Sequence, residues 1–298
     1  VSADLRASGM SAAFMFPPVG FGPGSQIGQE DEELNYLAMP SGVQVYEPHV
    51  PEIDDPATMA ATLAFLDELQ KQAQAWRVGA SHLLLRQTLS PAVSAAMHDA
   101  LGEGEVSARL EDAAGLVEVQ ETVFAGIWAL RAYSGSQRQD VREQVEVSAF
   151  PRALLARAFP PRHARPNIVA GGADGVVNAP AILTELFDRS ENWQPQHRPH
   201  VVNLSLLPHT PEDMALLEAT LGRGRLTILS RGYGNCRIEA TATPHVWRVR
   251  YYNSMDTLIL DTIEVSAVPQ VACAAAEDIA DSAIRLREIC AVLKEESI

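Results

Sequence analysis

The chain contains two copies of one sequence pattern, and this internal repeat limits its possible folds more than any other feature. Residues 101–106 read LGEGEV and residues 221–226 read LGRGRL. Each copy continues to a tryptophan and then to a Glu-Val-Ser-Ala-x-Pro end. The offset between copies is 120 residues at the glycines, 119 at the tryptophans and 118 at the prolines. A repeat this long predicts a duplicated supersecondary unit rather than a short solenoid period.

The order of elements within each copy predicts the fold class. Gly102 and Gly222 are typical helix stops, and alternating apolar and polar residues follow each as in half-buried antiparallel strands. We predict one strand over residues 117–130 and one over residues 236–252, the second bent at Pro244. The prediction is an α+β fold with an internal tandem duplication of an α-β-α-β-β-β-(α) unit, mainly antiparallel sheets and helices on one face.

Four segments are predicted along the 298 residues. Residues 1–54 form an irregular N-terminal segment because prolines and glycines are frequent there. Residues 55–159 form the first repeat unit, residues 160–175 a connector, and residues 176–298 the second repeat unit with a long C-terminal helix. For a chain of this length, two domains of ordinary size are the expectation.

Composition excludes several classes of partner and compartment. The formal net charge of −15 would repel nucleic acid phosphates and suits a basic protein partner. Apolar runs are too short for a membrane helix, and the N-terminus lacks the pattern of a secretory signal. Cys236, Cys273 and Cys290 are far apart and odd in number, which argues against a disulfide framework. These features predict a cytoplasmic protein without membrane insertion.

The common signatures of catalysis and metal binding are missing from the sequence. The two Gly-x-Gly motifs follow a helix and precede a strand, whereas a phosphate loop follows a strand and precedes a helix. The cysteines and histidines do not have metal-ligand spacing, and we find no nucleophile elbow. We therefore predict no catalytic residue, no metal and no cofactor. Trp128 and Trp247 occupy matching positions and are predicted to lie in the core.

Differences between the copies indicate where a partner would bind. Glu103 and Glu105 of the first copy become Arg223 and Arg225 in the second, which suggests complementary contacts between the halves or two different external faces. The second copy also has a predicted tight turn at residues 232–234, where an exposed tyrosine could anchor a partner. His245, near Trp247, is the most site-like of the eight histidines.

These motifs, in this order, resemble those of the HupH/HyaF/HoxQ family of nickel–iron (NiFe) hydrogenase expression/formation, or maturation, proteins. The resemblance extends from about residue 20 to the end. Its main blocks are Gly22-Pro23-Gly24-Ser25-Gln26, residues 101–107, residues 120–128 and a long segment from residue 232 to residue 286. Residues 27–50 match least.

The resemblance implies a non-enzymatic maturation factor or chaperone for an uptake hydrogenase. Its partner would be the precursor of the iron–sulfur small subunit, held before assembly and twin-arginine export. Whether a second hydrogenase-specific chaperone takes part is left open. The partner-binding candidates are Gly22, Pro23, Gly24, Ser25, Gln26, Glu103, Glu105, Arg223, Arg225, Gly232, Tyr233, Gly234, His245 and Trp247.

Two alternative functions stay open. One is an iron–sulfur assembly or redox accessory factor that uses the three cysteines. The other is a small-molecule enzyme with a site between the two halves, at His245 and Tyr233.

Overall fold

The computed structural model describes residues 50–85, 89–134, 140–161, 174–231 and 235–296. All of them belong to one compact unit, so the two predicted repeat units share one body rather than forming two separate domains. The proposed segment boundaries themselves stay a prediction.

The first half of this body is a helix–strand–helix unit followed by four consecutive strands and a short helix. Its elements are α1 (Pro56–Ala75), β1 (Ser81–Leu85), α2 (Pro91–Leu101), β2 (Val106–Asp112), β3 (Gly115–Glu121), β4 (Ile127–Ser134), β5 (Asp140–Ser148) and α3 (Arg152–Leu155).

The second half has the same order of helices and strands and ends in a long helix. Its elements are α4 (Ala179–Glu191), β6 (His200–Asn203), α5 (Pro211–Leu221), β7 (Leu226–Ser230), β8 (Asn235–Ala240), β9 (Val246–Tyr252), β10 (Leu258–Val265) and α6 (Ala276–Glu296). A single 3-10 turn, Leu204–Leu206, follows β6.

The sequence predicted three strands after the second helix of each half. This prediction was wrong, because the structure has four there. Residues 122–126 and 241–245 form tight turns where the sequence suggested a continuous or merely bent strand. In each turn a threonine hydroxyl replaces strand pairing: Thr122 accepts a hydrogen bond from the Phe124 amide, and Thr241 accepts one from the Thr243 amide. The apolar residues 123–125 concealed the first turn, and at the second Pro244 predicted only a bend within one strand.

All ten strands form one sheet in which every neighbouring pair is antiparallel. The strand order is β1-β5-β4-β3-β2-β7-β8-β9-β10-β6, so the two halves meet at β2 and β7. At this seam Ala108 pairs with Ile228 in the middle of the register. The seam therefore joins the two halves through backbone hydrogen bonds and a continuous apolar layer.

The five long helices lie on one face of the sheet, as predicted. Helices α1, α2 and α6 pack on Ile127, Val145 and Val147, while α4 and α5 pack on Ile263 and Val265. The strand register places all these side chains on the same face. The short helix α3 instead packs on the opposite face.

That opposite face contains both repeat tryptophans, and their predicted burial is confirmed. Trp128 and Trp247 are fully buried. The Trp128 indole donates to the Ser148 carbonyl at 2.8 Å, and the Trp247 indole donates to the Ser266 carbonyl at 3.1 Å. Satisfying the only polar atom of the indole makes full burial of this large side chain favourable.

The two Gly-x-Gly motifs are structural, as the order of elements predicted. Gly102 and Gly222 end α2 and α5 with φ of 55° and 63°, which favours a residue without a Cβ. Gly104 and Gly224 approach the next turn so closely that an added Cβ would lie 2.2 Å from the Thr122 carbonyl oxygen and 2.5 Å from that of Thr241. Both motifs therefore position the strand that follows them, β2 in the first half and β7 in the second.

Candidate functional site

The long helices leave the centre of the sheet open, and two neighbouring grooves lie there. Side chains of β2, β3, β4, β7, β8 and β9 form their floor. Groove one, of about 530 Å³, lies on the α2 side and groove two, also about 530 Å³, on the α5 side. Arg109, Thr227 and Arg237 line both grooves. The grooves thus follow the seam between the two halves.

Groove two is strongly basic for a chain with a net charge of −15. Six arginines and three glutamates line it. They are Arg109, Arg223, Arg225, Arg237, Arg248, Arg250, Glu111, Glu218 and Glu239. Groove one is more balanced, with three arginines, two glutamates and His98. The positive charge of the open surface is therefore concentrated on the second half.

Most arginines of groove two are held by internal ion pairs. Arg248 donates to both oxygens of Asp261, at 3.1 and 2.7 Å, and also pairs with Glu218. Arg250 pairs with Glu239, as does Arg237 at 2.8 Å. A forked guanidinium held by a carboxylate has a fixed orientation. The floor of groove two is therefore rigid and prearranged.

These pairs also fix the charge of the groove. Burial alone would lower the pKa of the Arg248 guanidinium, but its bonds to Asp261 and Glu218 raise it. Burial would likewise raise the pKa of Glu239, but Arg250 and Arg237 hold that pKa below its usual value. Both groups are therefore ionised at neutral pH, which makes Glu239 a poor general acid or base.

Arg223 and Arg225 differ from the other arginines of groove two. Within the described chain, neither guanidinium has a hydrogen bond or ion pair. Arg225 acts on Asp112 through space and contributes to its lowered pKa, which is caused mainly by the hydrogen bond from Arg157. Arg223 is exposed. Among the described residues, Arg223 and Arg225 are therefore arginines of groove two without a carboxylate partner, whereas the exposed Arg109 pairs with Glu111 at 3.4 Å.

The glutamates at the equivalent positions of the first half face different surroundings. Glu103 lines groove one, so groove one has a negative charge where groove two has Arg223. Glu105 lines a separate cavity of about 230 Å³. The backbones stay equivalent: the Glu111 amide donates to the Arg225 carbonyl, and the Arg231 amide donates to the Glu105 carbonyl. Glu105 and Arg225 therefore lie at opposite ends of the seam between β2 and β7, in equivalent backbone surroundings.

His245 does not line either groove, and it belongs to an aromatic cluster instead. Its ring stacks on Trp193 with centroids 3.8 Å apart and lies 5.8 Å from the ring of Phe159. The residue has a φ of 63°, which is uncommon outside glycine. Burial lowers the pKa of the imidazole, so the ring is neutral at physiological pH. His245 therefore packs between Trp193, which follows α4, and Phe159, at the end of the first half.

The other candidates are not on an open surface that the structure describes. Trp247 is fully buried. Eight candidates lie outside the described residues: Gly22, Pro23, Gly24, Ser25, Gln26, Gly232, Tyr233 and Gly234. The sequence had instead missed most of the groove floor, including Arg109, Arg237 and Arg248. The signal for these residues is alternation along the strands, as in Arg237-x-Glu239 and Arg248-x-Arg250.

The cysteines are poorly placed for ligand or redox chemistry. Cys236 and Cys290 are buried and Cys273 is partly buried. Burial raises the thiol pKa of Cys236 and Cys273 to about 11, so both stay protonated at neutral pH. They share the cavity of about 230 Å³ with Glu105 and Glu121. In the described ranges, no three His, Cys, Asp or Glu side chains are grouped to hold a metal.

Fold and grooves together define an α+β protein with an open, charged surface on a ten-stranded antiparallel sheet of the described residues. Across the described residues, no helix is long and apolar enough to cross a membrane. The family model of the HupH hydrogenase expression protein, C-terminal conserved region, matches residues 59–160 and 176–293. The chain belongs to this family of hydrogenase expression/formation proteins.

Individual relatives agree with this assignment. The hydrogenase expression/formation protein HupH of Rhodobacter capsulatus is 47% identical over 96% of this chain and 100% of its own length. The hydrogenase-1 operon protein HyaF of Escherichia coli K12 is 31% identical over 92% of this chain and 95% of its own. A solved structure of hydrogenase expression protein HupH from Thiobacillus denitrificans is 26% identical, with a TM-score of 0.35, over 41% of this chain and 97% of that chain. The relatives' names support a role in hydrogenase maturation.

Proposed function

We propose that this protein is a non-enzymatic maturation factor for a NiFe uptake hydrogenase. It acts in the cytoplasm and binds the immature iron–sulfur small subunit before assembly and twin-arginine export. The observation that carries the proposal is membership in the hydrogenase expression/formation family over nearly the whole chain.

The geometry of the open surface supports a binding role rather than catalysis. Its ionised groups are tied to each other in salt bridges, and Glu239 is held in its charged form. Such prearranged charges suit recognition of a protein surface, where they set specificity and the rate of association. A precursor subunit presents a large surface of this kind before it joins its partner subunit.

The small-molecule enzyme remains the alternative with a specific observation in its favour. Two polar grooves do lie between the halves. The residues proposed for that enzyme do not support it, because His245 lines neither groove and its ring is packed on Trp193. The iron–sulfur or redox alternative is disfavoured by thiols that burial holds in the protonated form.

We also propose that the two halves arose by tandem duplication. The near-constant sequence offset, the shared element order and the paired backbone bonds at the seam support this origin.

Co-purification tests the proposed function. The full chain is expressed with a tagged precursor of the small subunit encoded in the same genome, under aerobic and under anaerobic conditions. We expect a stable complex with the precursor and none with the mature, assembled hydrogenase. Failure to recover any complex under both conditions would contradict the proposal.

A further inference from the structure

We propose that groove two binds an extended acidic segment of a protein partner, with Arg223 and Arg225 pairing to its carboxylates. This inference rests on the proposed function for the identity of the partner. The chemistry of the groove is independent of the proposed function, because it follows from the side chains that line the groove.

Charge is the first argument. The chain has an excess of 15 negative charges, yet groove two is lined by six arginines and three glutamates. Long-range repulsion from the rest of the surface disfavours an anionic partner everywhere except at such a local basic region. A groove of this sign therefore selects a segment that is itself acidic and directs it to one place.

The second argument is that some arginines of groove two have carboxylate partners and others do not. Arg237, Arg248 and Arg250 are already neutralised by Glu239, Asp261 and Glu218, and so they shape the floor. In the described chain, Arg223 and Arg225 have no such side-chain partners. Guanidinium groups bind carboxylates through two parallel hydrogen bonds. The two arginines therefore offer anion-binding forks at the rim of a rigid groove.

The backbone around the groove excludes two other modes of binding. Strands β7 and β8 are hydrogen-bonded on both sides, so a peptide cannot add to the sheet as a further strand there. The loop at residues 222–224 follows the C-terminus of α5, whose dipole does not favour a phosphate group at the backbone. Recognition therefore comes from side chains, and two separate guanidinium groups suit a peptide with spaced carboxylates.

Fluorescence anisotropy of the full chain tests this inference directly. The probe is a fluorescein-labelled octapeptide of alternating glutamate and alanine, and the matched control peptide has lysine in place of glutamate. We expect saturable binding of the glutamate peptide that weakens as salt rises, and none of the lysine peptide. The double variant R223E/R225E should bind the probe at least about tenfold more weakly.

A control variant separates a local contact from net charge. Arg189 on α4 and Arg287 on α6 are exposed arginines that line neither groove. R287E and the variant R189E/R287E, which changes the net charge as much as R223E/R225E, should leave affinity within about twofold. Circular dichroism and thermal melting must match the wild type for all variants. Absence of saturable binding, an equal loss in R189E/R287E, or displacement of the probe by ATP at equimolar concentration would overturn the inference.

Failure of this inference is distinguishable from failure of the proposed function. If the small-subunit precursor co-purifies equally with wild type and R223E/R225E, groove two is not the contact, and the maturation role stands. If the acidic peptide binds groove two but the precursor never co-purifies, the groove chemistry stands and the proposed partner is wrong.

Discussion

The two halves of the sheet share one scaffold and differ in what they place on it. Each half buries one tryptophan whose indole donates to a serine carbonyl, and each ends its second helix at a positive-φ glycine. The same backbone bonds cross the seam in both directions. Groove one has nearly balanced charges, whereas groove two is basic. Positions that set the fold have the same chemistry in both halves, while exposed positions differ.

A second difference concerns the tight turns. Gly126 and His245 are equivalent by their hydrogen bonds, since the Ser148 amide donates to the Gly126 carbonyl and the Ser266 amide donates to the His245 carbonyl. Gly126 lies directly beneath Ile279 of α6, and His245 has its ring against Trp193. The C-terminal helix therefore belongs to the second half in sequence and to the core of the first half in space.

The largest expected effect tests whether the scaffold is equivalent in both halves. Trp128→Ala and Trp247→Ala each remove a fully buried indole and leave a large cavity. We expect each to lower the free energy of unfolding by about 3–5 kcal/mol, measured by urea denaturation. Losses that differ by more than about 2 kcal/mol would mean that the two halves do not share an equivalent core.

Asp213 tests a feature that only the second half has. This buried carboxylate accepts hydrogen bonds from the amides of Val177, Asn178, Ala179 and Thr210 and so joins the starts of α4 and α5. The equivalent residue in α2 is Val93. Asp213→Ala leaves several donors unpaired and should cost roughly 3 kcal/mol, whereas Ser90→Ala, which removes only the cap of α2, should cost about 1 kcal/mol.

The same residue predicts a dependence on acid pH. Burial alone would raise the pKa of Asp213, but the four amide donors lower it well below its usual value. Because the folded-state pKa is depressed, this stabilisation is present above the unfolded value near pH 4 and is lost as pH falls below it. The difference in stability between wild type and Asp213→Ala should shrink as the pH of the urea titrations is lowered from 5 to 2. A constant difference would contradict the assignment.

The two turns provide a prediction of intermediate size. An added Cβ at Gly126 would lie 2.4 Å from the Ile279 side chain, at a φ of 76°. We expect Gly126→Ala to cost about 2 kcal/mol. His245→Ala keeps the same backbone angle and loses the ring contacts with Trp193 and Phe159, so about 1 kcal/mol is expected. Thermal unfolding of both variants checks the order, and a larger loss for His245→Ala would show that the turns have been paired incorrectly.

An effect of opposite sign comes from Glu121, next to the first half's turn. Burial, with smaller contributions from Glu105 and Asp278, raises its pKa to about 7 despite the hydrogen bond from the Gly126 amide. Because the folded pKa is raised, stability falls as pH increases from about 4.5 to 7. Glu121→Gln should therefore be more stable than wild type by roughly 1–2 kcal/mol at pH 8 and about equal at pH 4. A variant that loses stability at pH 8 would mean that the carboxylate is needed in its ionised form.

Much of this architecture could be predicted because local chemistry determines it. The repeat predicted matching halves, and Gly102 and Gly222 predicted the helix ends. The turn at residues 122–126 was missed because an apolar stretch runs through it, and at residues 241–245 Pro244 predicted only a bend within one strand. The sequence also could not predict that α6 packs on the first half. An amphipathic stripe shows which face of a helix is buried, and it does not show which element covers that face.

The candidate site was less predictable than the fold. Arg223 and Arg225 were found because they differ from the first copy, but the groove depends on Arg109, Arg237 and Arg248, which come from separate strands. Only the strand order β2-β7-β8-β9 brings these residues together. Sequence alternation shows that each faces one side of a strand, and it does not show that a layer of helices leaves that side open.

On the proposed function, groove two rather than groove one contacts the hydrogenase precursor. Photo-crosslinking tests it most directly, with a benzophenone amino acid at Met214 in the wall of groove two or at His98 in the wall of groove one. In the co-purified complex we predict an efficient crosslink to the small-subunit precursor from Met214 that is lost in R223E/R225E, and little from His98. Crosslinking that is stronger from His98, or equal from both positions, would contradict the account.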